Sequence, residues 1–149
     1  RSASWPKSSD RLERLQVSSS KFQGARFRLR GLPGLYSVVR LGPRAKAPAG
    51  LSGFHSVTRT AKELSIVCRQ DRAPRGGRRE SGFRCLEVAG PLPFEATGVL
   101  ASLTRPLARA RIPILAISTF DTDYLFVREQ RLSAAIRALE RAGHDVRVE

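Results

Sequence analysis

The chain has 149 residues, 41% of them apolar, which is enough for one compact core or two small ones and too little for a large multidomain enzyme. Its 27 basic and 13 acidic side chains give a formal net charge of +14. The excess lies in residues 1–86, with 19 Lys and Arg against 5 Asp and Glu, whereas residues 87–149 hold 8 of each. Since 23 of the basic residues are Arg, codon usage in a GC-rich genome explains this charge as well as phosphate binding does, and the charge only weakly favours a nucleic-acid partner.

Cysteine count and apolar run length exclude two further classes. The two cysteines, Cys68 and Cys85, are too few for a disulfide scaffold or a cysteine zinc site, so we expect two buried thiols. The longest apolar runs, such as residues 112–117, are far shorter than the ~20 residues of a membrane span. We therefore expect a soluble, cytoplasmic protein with no metal, no cofactor and no membrane partner.

The first half of the chain predicts a tail followed by short strands. Residues 1–34 show no sustained period of 2 or 3.6 and read as a disordered or extended tail, with order beginning near Leu35. Residues 36–41 predict a strand, and residues 54–60 and 64–68 an antiparallel hairpin. Residues 71–82 have no apolar face and predict a solvated linker or loop. Residues 35–82 thus form a first, shorter unit with a basic loop.

The second half, residues 83–149, has a clearer pattern. It predicts strands at 83–88, 112–119, 123–127 and 146–148, and helices at 98–110 and 129–142. The order βαββαβ is typical of an α+β, ferredoxin-like fold, in which two helices cover one face of a four-stranded antiparallel sheet. In the first helix we expect Leu100, Leu103 and Leu107 on the buried face, and we expect Gly143 to end the second helix.

Two prolines refine this fold. Pro113 fits the second strand because that strand lies at the edge of a ferredoxin-like sheet, where a missing N–H is tolerated. We expect the β-rich segment 35–68 to bury this edge or to pack beside the unit. Pro106 lies inside the first helix, where it removes one hydrogen bond and predicts a bend.

Four ordered motifs carry a family resemblance: residues 63–68 (ELSIVC), 90–94 (GPLPF), 97–103 (TGVLASL) and 117–124 (ISTFDTDY). As a set they resemble the tandem ACT-domain proteins of the CASTOR type, which include short bacterial proteins of unassigned role and, as distant relatives, eukaryotic cytosolic arginine sensors. The likeness spans about residues 35–148. It implies two ACT-like units packed together, an amino acid or another small metabolite bound at the interface between such units, and no catalysis.

The chemistry of an amino acid points to the same region. Its pocket needs clustered amide donors for the carboxylate and an acceptor for the ammonium. The first helix begins at about Gly98, where free N–H groups suit a carboxylate, and Asp121 or Asp123 at the following hairpin tip can hold an ammonium. We expect these two features to face one another across a join between two small sheets.

The resemblance extends the predicted site residue by residue. By motif alignment it assigns ligand contacts to Glu95, Gly98, Val99, Thr119, Phe120 and Asp123. Together with Asp121 these are the predicted ligand-binding residues. Ala96 stands where the arginine sensors carry an acidic residue, which argues against a preference for an arginine side chain.

Each of these residues also has a plainer interpretation. Gly98 can serve only as a tight entry to a helix, and Asp121 and Asp123 can belong to a simple turn. Phe120 and Tyr124 can be core or interface aromatics. The site is predicted because these signals converge on one place in the fold.

Nucleic-acid binding is the alternative function. The arginines at positions 26, 28 and 30 alternate with Phe27 and Leu29, and residues 75–79 are rich in Arg and Gly, so a footprint on phosphates is physically reasonable. The 10 aromatic residues, however, mostly occupy strand positions and leave no stacking platform among the arginines. An amino-acid ligand is therefore the stronger prediction.

Catalysis is disfavoured because no catalytic constellation is present. His55 and His144 are the only histidines, and we expect the first on a strand surface and the second as a polar residue just past a helix end. Glu95 with Asp123 is an arbitrary pair of carboxylates rather than evidence for an acid/base pair.

The predicted partners are a small molecule and a second copy of the chain paired through an edge strand, not a nucleic acid.

Overall fold

The computed structural model describes residues 25–149. Within this range the chain forms eight strands and two α-helices, which we number in chain order. The strands are β1 (Arg28–Gly31), β2 (Tyr36–Leu41), β3 (Ser56–Arg59), β4 (Leu64–Arg69), β5 (Arg78–Val88), β6 (Ile114–Ser118), β7 (Asp123–Arg128) and β8 (Asp145–Arg147). The helices are α1 (Val99–Arg109) and α2 (Leu132–Arg141), and short 3-10 turns lie at Gln70–Arg72 and Glu129–Arg131.

The long strand β5 organises the sheet. Its second half pairs with β7 along one edge and with β1 along the other, while its first half pairs with β2. All three pairings are antiparallel. Beyond them β6 pairs with β7, β8 runs parallel to β1, and β4 and β3 continue the sheet outward from β2. One strand therefore belongs to both halves of the molecule.

The predicted ferredoxin-like order is confirmed from β5 onward. Strands and helices follow as β5-α1-β6-β7-α2-β8, and side chains of both helices share one buried cluster with β5 and β7. Among the described residues β6 pairs only with β7, so it lies at the sheet edge as predicted, directly after Pro113. The edge position explains why a proline is tolerated there.

Residues 35–82 join the sheet away from that edge. The predicted hairpin is confirmed as β3 and β4, but the segment attaches through β2 to β5 and leaves the outer edge of β6 uncovered by the described residues. Of the two expected arrangements, burial of the β6 edge is wrong, whereas packing beside the βαββαβ unit agrees with the pairing of β2 and β5. In this segment the structure describes strands and one 3-10 turn and no α-helix, so the expectation that it is a first, shorter ACT-like unit stays a prediction.

Order begins earlier than Leu35, which corrects the sequence prediction. Arg28–Gly31 forms β1, inserted between β5 and β8. Phe27 and Leu29 are buried, whereas Arg28 and Arg30 are exposed. This period of 2 is the signature of a half-buried strand, and its arginines lie on the open face of the sheet. The predicted tail over residues 1–24 lies outside the described residues.

The expected loop at residues 71–82 is wrong over its last five residues. Arg78 to Gly82 belong to β5, held by pairing with β2 and by a hydrogen bond between the Ser37 and Ser81 hydroxyls (2.8 Å). The register shifts by one residue here, and Gly82 has a φ of 80°, as expected for a bulge. Arg78, Arg79 and Glu80 are exposed, so the segment lacks the apolar alternation that identifies a strand from sequence. Its partner strand β2 is also distant in sequence.

The helix-side core explains one further error. Val99, Leu103 and Leu107 form the buried stripe of α1 and pack with Leu86 and Leu125 of the sheet, among others. Leu100, predicted to share that stripe, is instead 36% exposed. The buried positions are four residues apart, so a pattern that begins at Val99 leaves Leu100 beside the stripe. Gly143 has a φ of 94° and ends the second helical segment as predicted.

The opposite sheet face carries an aromatic cluster that joins the two halves. Phe126 of β7 lies 5.5 Å from Tyr36 of β2 and 5.4 Å from Phe54 of the β2–β3 loop, measured between ring centroids. Cys85 is buried in the same cluster, and burial raises the pKa of its thiol. Cys68 is buried among neighbours of β4, so the prediction of two buried thiols is confirmed.

His144 is buried and bridges two elements, which sequence reasoning missed. Pro106 has no N–H, so the carbonyl of Ser102, four residues earlier, loses its helical donor. The Nε2–H of His144 donates to that carbonyl (3.2 Å), and its Nδ1 accepts the backbone N–H of Phe27 (3.2 Å). A neutral imidazole thus replaces the missing helical bond and fastens the start of β1 to α1.

Neither helix among residues 25–149 has the length and apolar content that a bilayer crossing requires.

Candidate ligand-binding site

A cavity of about 380 Å³ lies between the β5–α1 loop and the β6–β7 turn. One wall comes from residues 92–101, without Glu95 and Thr97, and the other from residues 118–123. None of residues 25–91 lines it. The helix start and the hairpin tip meet at one end of a single βαββαβ unit, so the expectation that they face one another across a join between two sheets of this chain is wrong. A ligand at an interface with a second ACT unit stays a prediction.

Two hydrogen bonds join the β6–β7 turn to the end of β5 and the loop that follows it. The N–H of Leu92 donates to the carbonyl of Asp121 (2.7 Å), and the Thr122 hydroxyl donates to the carbonyl of Val88 (2.7 Å). Gly90 allows this approach, since a Cβ there would lie 3.0 Å from the Asp121 carbonyl oxygen. The loop and the turn are thus held together by one main-chain hydrogen bond and one from the Thr122 side chain.

The β6–β7 turn positions a carboxylate at the floor of the cavity. The N–H of Thr119 donates to the Thr122 carbonyl (2.8 Å), and the Thr119 hydroxyl donates to the same oxygen (3.0 Å). Asp123 follows this closed turn and is only 9% exposed. The Ser118 hydroxyl donates to its Oδ1. A nearly buried carboxylate with an adjacent hydroxyl is well suited to an ammonium group.

The start of α1 faces the same cavity. Gly98 is the N-cap residue, with a φ of 82° that side chains rarely adopt, and no side chain caps the helix. The first helical residues, Val99 to Ala101, line the cavity. Their N–H groups lack partners within the helix and, with the positive end of its dipole, favour an anion such as a carboxylate.

Aromatic side chains form the rim. Phe94 of the loop and Phe120 of the turn are 74% and 68% exposed, and their ring centroids lie 5.7 Å apart. Sequence reasoning missed Phe94, although its motif was quoted for the resemblance, because an isolated aromatic in a loop carries no periodic signal. Sequence reasoning also missed Ser118 as a site residue, because it was assigned only to the predicted strand 112–119.

Most of the predicted site residues lie together. Six of the seven line the cavity: Gly98, Val99, Thr119, Phe120, Asp121 and Asp123. Glu95 belongs to the loop but does not line it. The prediction that these residues contact a ligand stays a prediction, and the geometry limits it to six positions.

A second, more polar opening of about 540 Å³ shares Asp121 and Thr122 with the first. There the Tyr124 hydroxyl donates to Glu87 Oε1 (3.1 Å), while Arg30 pairs with the other oxygen of that carboxylate. Burial and the neighbouring Glu87 raise the pKa of Tyr124 to about 12. The Glu87 carboxylate is satisfied within the chain, so this opening presents no comparable site for an ammonium.

Two family models match the chain. Residues 78–141 match the ACT domain, and residues 34–76 match a model described as an N-terminal domain. The first match starts at the N-terminal residue of β5 and ends at the last residue of α2, so it covers both walls of the cavity.

Known proteins extend this likeness. The crystal structure of protein Atu0741 from Agobacterium tumefaciens is 40% identical, covers 84% of this chain and 95% of its own, and superposes with a TM-score of 0.78. The human cytosolic arginine sensor for mTORC1 subunit 1 is 37% identical over 60 residues, which are 40% of this chain but only 18% of that protein. The chain therefore spans a small part of the sensor.

The regulatory subunit of aspartate kinase from Thermus thermophilus, in its ligand-free form, superposes with a TM-score of 0.54 at 12% identity, covering 74% of this chain and 93% of its own. At this identity the likeness concerns the fold alone. Taken with the Agobacterium protein, which aligns over nearly its whole length, these matches place residues 78–141 as an ACT domain and the chain in the same family as Atu0741.

Proposed function

We propose that this chain is a non-catalytic regulatory protein that binds a free amino acid in the cavity between α1 and the β6–β7 turn. The observation that carries the proposal is that an uncapped, glycine-led helix start and the nearly buried Asp123 carboxylate line the same cavity. The positive end of the helix dipole complements the carboxylate of a zwitterion, and the Asp123 carboxylate complements its ammonium.

The ligand is oriented by these two groups. Its carboxylate accepts hydrogen bonds from the first-turn N–H groups of α1, and its ammonium donates to Asp123 and the Ser118 hydroxyl. A volume of about 380 Å³ is at the lower end of the range of small-molecule sites, which suits a ligand of this size. The likeness of 60 residues to an arginine sensor supports the class of function.

We place the second half of the expected ACT interface in another copy of the chain. The outer edge of β6 is unpaired within residues 25–149, and Ser118, the last residue of β6, lines the cavity. A partner strand added there would lie beside the site. A ligand that touches both copies stabilises the paired arrangement by the difference in its affinity for the two states. Sedimentation with and without amino acid measures this linkage.

Nucleic-acid binding receives less support. The alternation of arginines with Phe27 and Leu29 is explained by β1, and several arginines of this half are paired with carboxylates, including Arg30 with Glu87 and Arg40 with Glu63.

We also place the protein in the cytoplasm, as its cytosolic relative suggests.

A thermal-shift screen of the full chain against the twenty amino acids tests the function, because an occupied site raises apparent stability. The best binder is then titrated against Asp123→Asn. We expect its affinity to fall at least tenfold, since a neutral amide replaces the ion pair with the ammonium.

Asp71→Asn is the matched control, because it removes the same charge from an exposed position outside the cavity, and its affinity should equal that of the natural chain. Absence of any binder, or equal affinities for all three proteins, contradicts the proposal.

A further inference from the structure

Exposed apolar side chains concentrate at the cavity. Of the four large apolar side chains that are exposed among residues 25–149, three line it: Phe94, Leu100 and Phe120. The fourth, Val57, lies on β3 in the other half of the chain. Phe94 and Phe120 come from opposite walls and pack against each other at 5.7 Å. Scattered exposed apolar residues are ordinary, but a cluster at a concave site indicates a binding surface.

Within residues 25–149, the charged groups that line the cavity are few, and all of them are acidic. Among the described residues, those lining it include no Lys, Arg or His, and its carboxylates are Asp121 and Asp123. Asp123 is the nearly buried one that the proposed function assigns to the ammonium. Asp121 is exposed, and a solvated carboxylate stabilises a second cation only weakly.

The side chain of the ligand therefore meets mainly phenyl and isobutyl surface. Packing an apolar group against Phe94, Leu100 and Phe120 removes exposed apolar area from water on both partners, which is favourable in proportion to that area. A charged side chain in the same place gains one exposed carboxylate and loses part of its hydration.

We infer that the amino acid bound here has an apolar side chain, branched or aromatic, and that Phe94, Leu100 and Phe120 form its side-chain subsite. This inference rests on the proposed function, and it names the ligand class of that site. The ligand class accordingly differs from that in the name of the arginine sensor, although the chain resembles it.

Calorimetric titration of the full chain with leucine, phenylalanine and arginine tests the inference. We expect leucine or phenylalanine to bind at least tenfold more tightly than arginine. Phe120→Ala should weaken the better apolar ligand about tenfold, because it removes apolar contact area from the subsite. Its melting temperature should stay near that of the natural chain, since Phe120 is largely exposed.

Two further variants keep the test decisive. Phe94→Ala should weaken the same ligand by a similar factor, and Val57→Ala, an exposed apolar truncation away from the cavity, should not. If arginine or another polar amino acid binds most tightly, the inference is overturned while the proposed function stands. If no amino acid binds, both are overturned.

A second copy of the chain is the competing occupant of the aromatic rim. Sedimentation of Phe120→Ala without added amino acid separates the two, because pairing that is linked to the ligand does not contribute there. Loss of a dimer with unchanged amino-acid affinity would assign the rim to an interface and overturn the inference, whereas reduced affinity with unchanged sedimentation supports it.

Discussion

The two halves of the sheet bury their apolar side chains by different means. From β5 onward, two amphipathic helices cover one face, and the buried residues follow the regular spacings of helix and strand. In the β2–β4 half, irregular chain provides the cover: Leu51 and Ala45 pack over Leu64 and Ile66, and Phe54 packs on the aromatic cluster. Regular cover leaves a pattern in the sequence, and cover by loops does not.

Because β5 pairs with strands of both halves, we expect the two halves to unfold as one cooperative unit, and Phe126 is the side chain that tests this most strongly. Phe126→Ala removes a fully buried ring that contacts Tyr36 and Phe54 of the first half. We expect the free energy of unfolding to fall by about 3–5 kcal/mol. Urea denaturation, monitored by circular dichroism, should show a single transition.

Phe120→Ala, a truncation of the same size at an exposed position, is its control and should change stability little. Two separate transitions in the Phe126 variant, one at the natural midpoint, would show that the halves fold independently.

The irregular half depends on one close main-chain approach at the start of β5. Both Gly76 and Gly77 have positive φ, 85° and 69°, but only a Cβ on Gly77 would collide, at 2.4 Å from the Arg40 carbonyl oxygen. Gly76→Ala should cost about 1–2 kcal/mol from the left-handed conformation. Gly77→Ala should cost about 1–3 kcal/mol more from the clash.

Urea denaturation of the two glycine variants measures the difference. Equal losses of stability would mean that β2 and the start of β5 are not held as closely as the structure places them.

In the regular half, Pro106 interrupts the hydrogen bonding of α1, and His144 compensates for it. His144→Ala leaves the Ser102 carbonyl without its donor, at a cost of about 1–3 kcal/mol. In that background Pro106→Ala should recover part of the loss, because the new N–H at position 106 restores the helical bond to Ser102.

A double-mutant cycle of His144→Ala and Pro106→Ala measures the coupling. Strictly additive losses would show that the imidazole and the proline are unrelated.

The candidate site was predictable in its chemistry and less so in its placement. Gly98 and Asp123 stood out because helix starts and turn carboxylates are recognisable from local residue types. Phe94 did not, since its role arises only from contact with Phe120 across the cavity. Glu95 was included by motif alignment, and it does not line the cavity although its loop does.

Local sequence determined the elements that residue types and spacing mark out: the two helices, the strands from β5 to β8 and the hairpin of β3 and β4. Tertiary structure alone decided how they associate. It placed β1 between β5 and β8, extended β5 through residues 78–82, and gave the Ser102 carbonyl a donor from His144. Each of these depends on hydrogen bonds between segments far apart in the chain, and the energy of such bonds is set by the partner's position rather than by any nearby residue.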